Sequence, residues 1–447
     1  MTRSPRTPLP SKTILAFSLA LATGGAFAQT ATETELARRL DQLATELANV
    51  QAQLAQMQQQ RVAPPAASVT PATTAPAASS TAALGAPPAV AMAAPAASSE
   101  PATVLTSYGE LNYNRPTRAG EKAQADVRRF VLGFQHRFDA KTKVVTELEV
   151  EHAVSSAGDP GEVAVEQAYV ERQLTPTWAA RAGLFLMPVG LLNESHEPTA
   201  FYGVERNFVE TAIIPSTWRE GGLQLVGSFD NGLTVQAGVT TGFDLTKWDA
   251  ASTDGKESPL GSIHQELSLA KAHDLSVFGA LNWRGIPGLL LGGSVFTGNA
   301  TQGQALAQAR VTLWDLHARW QPGRWDFSTV YARGSIGNTA TLNAALIGND
   351  NLIPKSFDGW YAQGSYKLWS QEDYALSPFV RWEQFNTARS YADLGPGLTP
   401  AAGVTERVVT LGANFQVSPG IVLKADYQTF RENKDANRVN LGMGWSF

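Results

Sequence analysis

Between residues 103 and 447, apolar and polar side chains alternate with a period of two in one segment after another. In 404–418, Val409, Leu411, Ala413, Phe415 and Val417 fall on one side, and Val408, Thr410, Asn414 and Gln416 on the other. Residues 126–138 set Phe130, Leu132, Phe134 and Phe138 against Arg129, Gln135 and Arg137, and residues 420–428 set Ile421, Leu423, Ala425 and Tyr427 against Lys424, Asp426 and Gln428. The last segment opposes Val439, Leu441, Met443, Trp445 and Phe447 to Arg438, Asn440, Gly442, Gly444 and Ser446. Each is a strand with one face suited to lipid and one suited to water. Sixteen such segments begin near residues 103, 126, 141, 161, 177, 219, 232, 274, 288, 308, 324, 355, 374, 404, 420 and 436.

The connections between these segments sort by length. Asp139-Ala140, Thr175-Pro176, Asp230-Asn231-Gly232, Gly285-Ile286-Pro287-Gly288, Gln321-Pro322-Gly323, Ser370-Gln371-Glu372-Asp373 and Ser418-Pro419-Gly420 are tight turns of turn-forming residues. Alternating with them are longer connections at 115–125, 153–160, 188–218, 243–273, 299–307, 337–354 and 387–403. A barrel threaded through an outer membrane has short turns at its periplasmic rim and long loops outside, whereas a soluble sandwich has no reason to sort its loops. The expectation is an all-β chain: a 16-stranded antiparallel transmembrane β-barrel over 102–447.

The segment before the barrel reads as three pieces. Arg3, Arg6 and Lys12 precede the apolar run Ile14–Ala22, and Ala26-Phe27-Ala28 offers small residues for cleavage, so 1–28 is a signal peptide. In 29–61, Leu36, Leu40, Leu43, Leu47, Val50, Leu54 and Met57 recur at alternating spacings of four and three behind a Thr32/Glu35 capping box, the seam of a short coiled-coil helix. Residues 62–101 are mostly Ala, Pro, Ser and Thr, with no charge through 99, and cannot bury a core; they form an extended linker. At the other end, Phe447 closes the last alternating segment and resembles the terminal aromatic read by outer-membrane assembly machinery.

Composition narrows the chemistry. The chain has no cysteine, which excludes disulfides, thiolate metal sites and a cysteine nucleophile. Charged residues make up 17%, below the soluble average of about a quarter, and mean hydropathy is −0.14, as for a barrel whose two strand faces cancel. After the signal peptide no apolar run reaches 18 residues, so insertion must use strands. The six histidines, His136, His152, His196, His264, His273 and His317, show no metal-ligand spacing, and no GxSxG, HExxH, P-loop or EF-hand pattern occurs. No enzymatic activity, cofactor, metal or nucleic-acid partner is expected.

The connection 188–218, the third external loop, is rich in mixed charge: Glu194, His196, Glu197, Glu205, Arg206 and Glu210, with Arg219 at re-entry. A barrel of this size leaves an aqueous lumen, and an inward-folded loop would narrow it. Charges held across such a constriction focus the field and select among ions. The stretch AARAGLFLMPVGLLNESHEPTAFYGVERNF resembles the phosphate-selective porin O and P family in a strand ending Ala182-Gly183-x-Phe185-x-x-Pro188-x-Gly190-Leu191, then Glu205-Arg206, Pro215, Arg219 and Gly221-Gly222 before the Asp230-Asn231-Gly232 hairpin. The resemblance covers about 65 residues and implies a homotrimeric outer-membrane channel with the third loop folded into the lumen.

Alternation directs Arg129, Arg137, Lys143, Arg181, Arg319, Lys367, Arg381, Lys424 and Arg438 inward, but also Glu147, Glu149, Glu151, Asp315, Glu383 and Asp426. Residues 101–447 hold 29 basic and 35 acidic residues, a balance of −6, so a mixed-charge pore for small hydrophilic solutes competes with a phosphate channel. The expected constriction set is Glu205, Arg206, Glu210 and Arg219 from the loop, with Arg129, Arg181 and Arg381 from the wall. Expected partners are outer-membrane lipid, two further copies of the chain, and small solutes or ions. The coiled coil would knit the N-termini in the periplasm and could reach peptidoglycan. Two other classes compete: a non-conducting barrel anchoring its loops and coiled coil, and a barrel hydrolase, which needs a serine beside a histidine.

Overall fold

The computed structural model describes residues 102–156 and 158–447. The expected signal peptide (1–28), coiled-coil helix (29–61) and linker (62–101) lie outside the described residues. The described chain forms one closed antiparallel sheet. Its strands are β1 (Thr103–Pro116), β2 (Gln124–Arg137), β3 (Thr142–Glu151), β4 (Glu162–Gln173), β5 (Trp178–Leu186), β6 (Arg219–Ser228), β7 (Leu233–Thr240) and β8 (Ser276–Ile286). The second half comprises β9 (Leu289–Asn299), β10 (Arg310–Trp320), β11 (Trp325–Ile336), β12 (Ser356–Tyr366, resumed by Trp369–Gln371), β13 (Tyr374–Ser390), β14 (Glu406–Ser418), β15 (Ile421–Phe430) and β16 (Arg438–Ser446). Both pieces of β12 pair with β13, so the ring has sixteen strands. It closes where β1 pairs with β16, from Tyr108 opposite Ser446 to Pro116 opposite Arg438.

Turns at one rim are two to four residues long, and connections at the other run from seven to thirty-five. Strands are mostly nine to fourteen residues long, enough to cross about 30 Å of hydrocarbon when tilted. The alternating pattern sorts as the pleat requires. Outward-facing Leu223, Leu411 and Leu316 are 65%, 56% and 61% exposed, while inward Val408 and Thr410 are fully buried. Closure removes every sheet edge and satisfies the backbone within the ring, which is the condition for a strand-built wall in lipid.

The bore differs from the expected water-filled tube. On β8–β12, inward positions near the loop rim are apolar: Phe278, Phe296, Val311, Leu313, Val330, Ile336 and Phe357. They pack against Val209, Ile213, Ile214 and Trp218 of the 187–218 loop and Phe243, Leu245, Leu260 and Ile263 of the 241–275 loop. Trp218 stacks on Phe243 with centroids 5.1 Å apart and meets Phe296 edge-on at 4.7 Å. The two loops therefore have a hydrophobic core of their own, with the barrel wall as its other side.

Candidate functional site

The 187–218 loop enters the bore through a turn whose chemistry is visible in the sequence. Gly190 has φ +71°, and a Cβ there would lie 2.5 Å from Glu210 Oε1. That carboxylate is fully buried and accepts from the backbone N–H of Leu191 (2.5 Å) and Leu192 (2.7 Å), from Asn207 Nδ2 (2.8 Å) and from the Tyr361 hydroxyl (3.3 Å). Asn193 fastens the two ends of the loop together. Its Nδ2 donates to the carbonyls of Met187 (2.7 Å) and Trp218 (2.8 Å), and its Oδ1 accepts from Trp218 N (2.7 Å).

From there the segment crosses to the opposite wall. Backbone N–H groups of Gly203, Val204 and Phe208 donate to Asn414 (3.2 Å), Asp426 (2.6 Å) and Glu383 (2.6 Å). Arg381, 2% exposed and paired with Glu383 at 2.7 Å, donates to the carbonyls of Tyr202 and Glu205, each at 3.2 Å. Thr199 Oγ1 meets Ser446 Oγ at 2.7 Å, and Asn114 Nδ2 donates to Glu205 at 2.6 Å. On β1 and β4, the Tyr108 hydroxyl donates to Glu166 (3.0 Å) and contacts His196 Nε2 (2.6 Å), which is 3.1 Å from the same carboxylate. The other ring nitrogen, Nδ1, is 3.0 Å from the Asn193 carbonyl, which can only accept, so Nδ1 carries a hydrogen. Burial alone would push His196 down; the adjoining Glu166 raises it above its ordinary value.

Between this loop and the β1–β4 wall lies a cavity of about 680 Å³. Its lining includes Arg128, Arg129, Arg206, Arg219 and Arg438 together with seven glutamates, among them Glu149, Glu151, Glu162, Glu205, Glu257 and Glu266. A β-bulge builds part of it: pairing shifts between Glu110 and Leu111, so Arg128 has no partner across β1 and joins Arg129 on the lumen side. A second bulge opposite Glu147 and Leu148 turns Glu166 inward beside Gln167, which hydrogen-bonds Glu147.

The structure brings four of the seven sequence-selected residues to this cavity: Arg129, Glu205, Arg206 and Arg219. Arg129 is held by Glu110 (2.9 Å) and Glu149 (3.1 Å), and Arg219 by Glu266 (3.1 Å). Arg206 donates to Thr217 Oγ1 (3.1 Å) and the His196 carbonyl (3.3 Å) and has no carboxylate partner among the described residues. Burial works against the charge on Glu205, but Arg438, the Asn114 amide and Arg128 hold its carboxyl below the usual range. The other three sit elsewhere. Glu210 and Arg381 fasten the loop, and Arg181 pairs with Glu171 at 2.7 Å on the β4–β5 wall. Sequence reasoning missed Arg128, because strict alternation sends it to lipid; nothing local in the sequence marks the bulge. It also missed Glu257, Glu266 and His264, which arrive from the next loop.

The serine-beside-histidine arrangement of a hydrolase is approached on β9–β10, where Ser294 and His317 both bind Asp315. The hydroxyl and the imidazole thus share one carboxylate, and His317 Nε2 is 2.7 Å from Asn282 Oδ1. This arrangement orients an imidazole without activating the serine.

No family model matches the chain. An uncharacterized protein of Aquifex aeolicus (strain VF5) is 28% identical over 368 residues, covering 79% of this chain and 83% of that one. Among solved structures, Salmonella typhi OmpF in complex with daunomycin superposes with a TM-score of 0.54 at 14% identity, covering 77% of this chain and 97% of that one. The outer-membrane channel DcaP of Acinetobacter baumannii superposes with a TM-score of 0.51 at 14% identity, covering 78% and 97%. At such identities the likeness is one of fold: this chain is a porin-like, closed 16-stranded antiparallel β-barrel.

Proposed function

We propose that the barrel is an outer-membrane porin through which small hydrophilic solutes and ions diffuse passively, with the 187–218 loop setting the constriction. The observation that carries this reading is the loop's course: it is hydrogen-bonded to wall strands on both sides of the bore yet leaves a charged cavity open beside β1–β4. The apolar exterior and the sorted connections support insertion in an outer membrane with the short turns and the N-terminal segment in the periplasm. Arg129, Glu205, Arg206 and Arg219 are the selectivity residues in this proposal; Glu210 and Arg381 act through them by holding the loop, and Arg181 lines the wall below.

Five arginines among seven glutamates favour a mixed-charge path over one devoted to phosphate, which needs uncompensated cations along its length. A homotrimer, with the coiled-coil segment joining three N-termini, completes the proposal. Planar-bilayer recordings of the purified full-length chain test it: conductance should rise in steps of three, and reversal potentials in a salt gradient give the sign of selectivity. Strong anion preference would restore the phosphate reading. A silent bilayer would favour the second reading, a non-conducting anchor, to which the apolar packing of the β8–β12 side of the bore lends support.

A further inference from the structure

The cavity's arginines differ in how they are paired: Arg129 and Arg219 are held by glutamates, and Arg128 and Arg438 stand near the Glu205 carboxylate. Arg128, Arg206 and Arg438 reach it from β2, the 187–218 loop and β16, and none has a salt-bridge partner among the described residues. Arg206 is 8% exposed, and its Nε, like that of Arg219, is buried without a hydrogen-bond acceptor. A buried guanidinium left short of acceptors is an anion subsite in waiting, since the unmade bonds cost free energy until a carboxylate supplies them. On β3 and β4, Glu151 and Glu162 lie directly opposite one another in the ladder and line the same cavity. Like charges paired across strands destabilise a sheet unless a cation sits between them. Arg129 is 3.8 Å from Glu151 but is already engaged by Glu110 and Glu149. Glu257, from the 241–275 loop, adds a third carboxylate.

We propose that the cavity binds a zwitterionic solute of the amino-acid or short-peptide class, its carboxylate on Arg128, Arg206 and Arg438 and its ammonium on Glu151, Glu162 and Glu257. A volume of about 680 Å³ falls within the range of small-molecule sites, about 300–1,000 Å³, and Val204, Phe208 and Pro215 give the solute's side chains an apolar surface. This inference deepens the porin reading and rests on it for access to the site.

The probes are dialanine, N-acetyl-dialanine, which lacks the ammonium, and dialanine amide, which lacks the carboxylate. With the full-length protein in planar bilayers, potassium chloride conductance is read first, and then the concentration of each probe that half-blocks the current. Dialanine should block at concentrations about tenfold below either analogue, the loss expected when a paired charge is removed. Arg128→Gln should bring dialanine down to the level of the amide, and Glu162→Gln to that of the acetylated form; both positions are partly exposed and tolerate a polar replacement. Equal block by dialanine and either analogue overturns the inference while leaving the porin intact. Absence of any conductance overturns the porin reading instead, and equilibrium dialysis of the same three probes then decides the inference: preference for dialanine sustains it, and equal binding sinks it.

Discussion

The two sides of the bore are built from one strand rhythm and differ in nearly everything else. Near the loop rim of β8–β12 the inward side chains are phenylalanines and aliphatics that meet loop residues in a dry contact; on β1–β4 and β16 arginines and glutamates face an open cavity. The strand pleat decides only whether a side chain points in or out. What it meets inside depends on how two long loops fold, and they fold so that their own apolar residues cover one wall and leave the other wet. The apolar side fixes the loop, and the charged side is where the proposed solute path runs.

That division can be broken most severely from the dry side. Trp218→Ala removes a fully buried indole stacked on Phe243 and edge-on to Phe296 and should cost about 3–5 kcal/mol of loop docking, read as cleavage within 187–218 by added protease while the barrel wall stays intact. Next comes the buried ion pair. His196→Gln leaves Glu166 without its cation and should cost about 3 kcal/mol by the same assay. The pH dependence has a definite sign. The folded imidazole binds its proton more tightly than the unfolded one, so its contribution is complete below about pH 6.5 and is lost as pH rises through the raised value; Glu166, Tyr108, Arg206 and Glu197 are the charges it faces. The wild type should become protease-sensitive on the alkaline side, and the His196→Gln variant should show a flat profile.

Gly190→Ala should cost about 1–3 kcal/mol, because alanine is strained at φ +71° and its methyl would press on the Glu210 carboxylate. A rise in open-channel conductance would accompany the loosened loop. The smallest stability effect belongs to the wet side: Arg438→Gln should stay within about 0.5 kcal/mol of wild type, yet shift the reversal potential toward cations. If Arg438→Gln destabilised the loop as much as Trp218→Ala, the two sides would not differ in kind.

Much of this was legible in the chain. Every strand begins within two residues of the position the alternation predicts, because each strand of a closed barrel turns one face outward and the other into the bore, and the pleat writes that division into the sequence. The Pro188-x-Gly190 turn was legible as a motif, and its reason is the Glu210 carboxylate nineteen positions on from Leu191. On β8–β12 the rhythm says less. Val277 and Phe278, or Val295 and Phe296, are apolar on both faces, so the sequence could not separate lipid contact from loop contact. Glu210 and Arg381 carry charges that look suited to a pore, yet they are spent on backbone groups of the loop; a list of charged residues does not distinguish a group that meets solute from one that meets a peptide N–H.

The contacts of Tyr108 with His196, Asn114 with Glu205 and Ser446 with Thr199 lie on the first and last strands, on either side of the join that closes the ring. The mid-chain loop is thus an internal staple across the joint between the two ends of the barrel. It cannot complete its own docking until the ends of the barrel have met, and once seated it resists their parting.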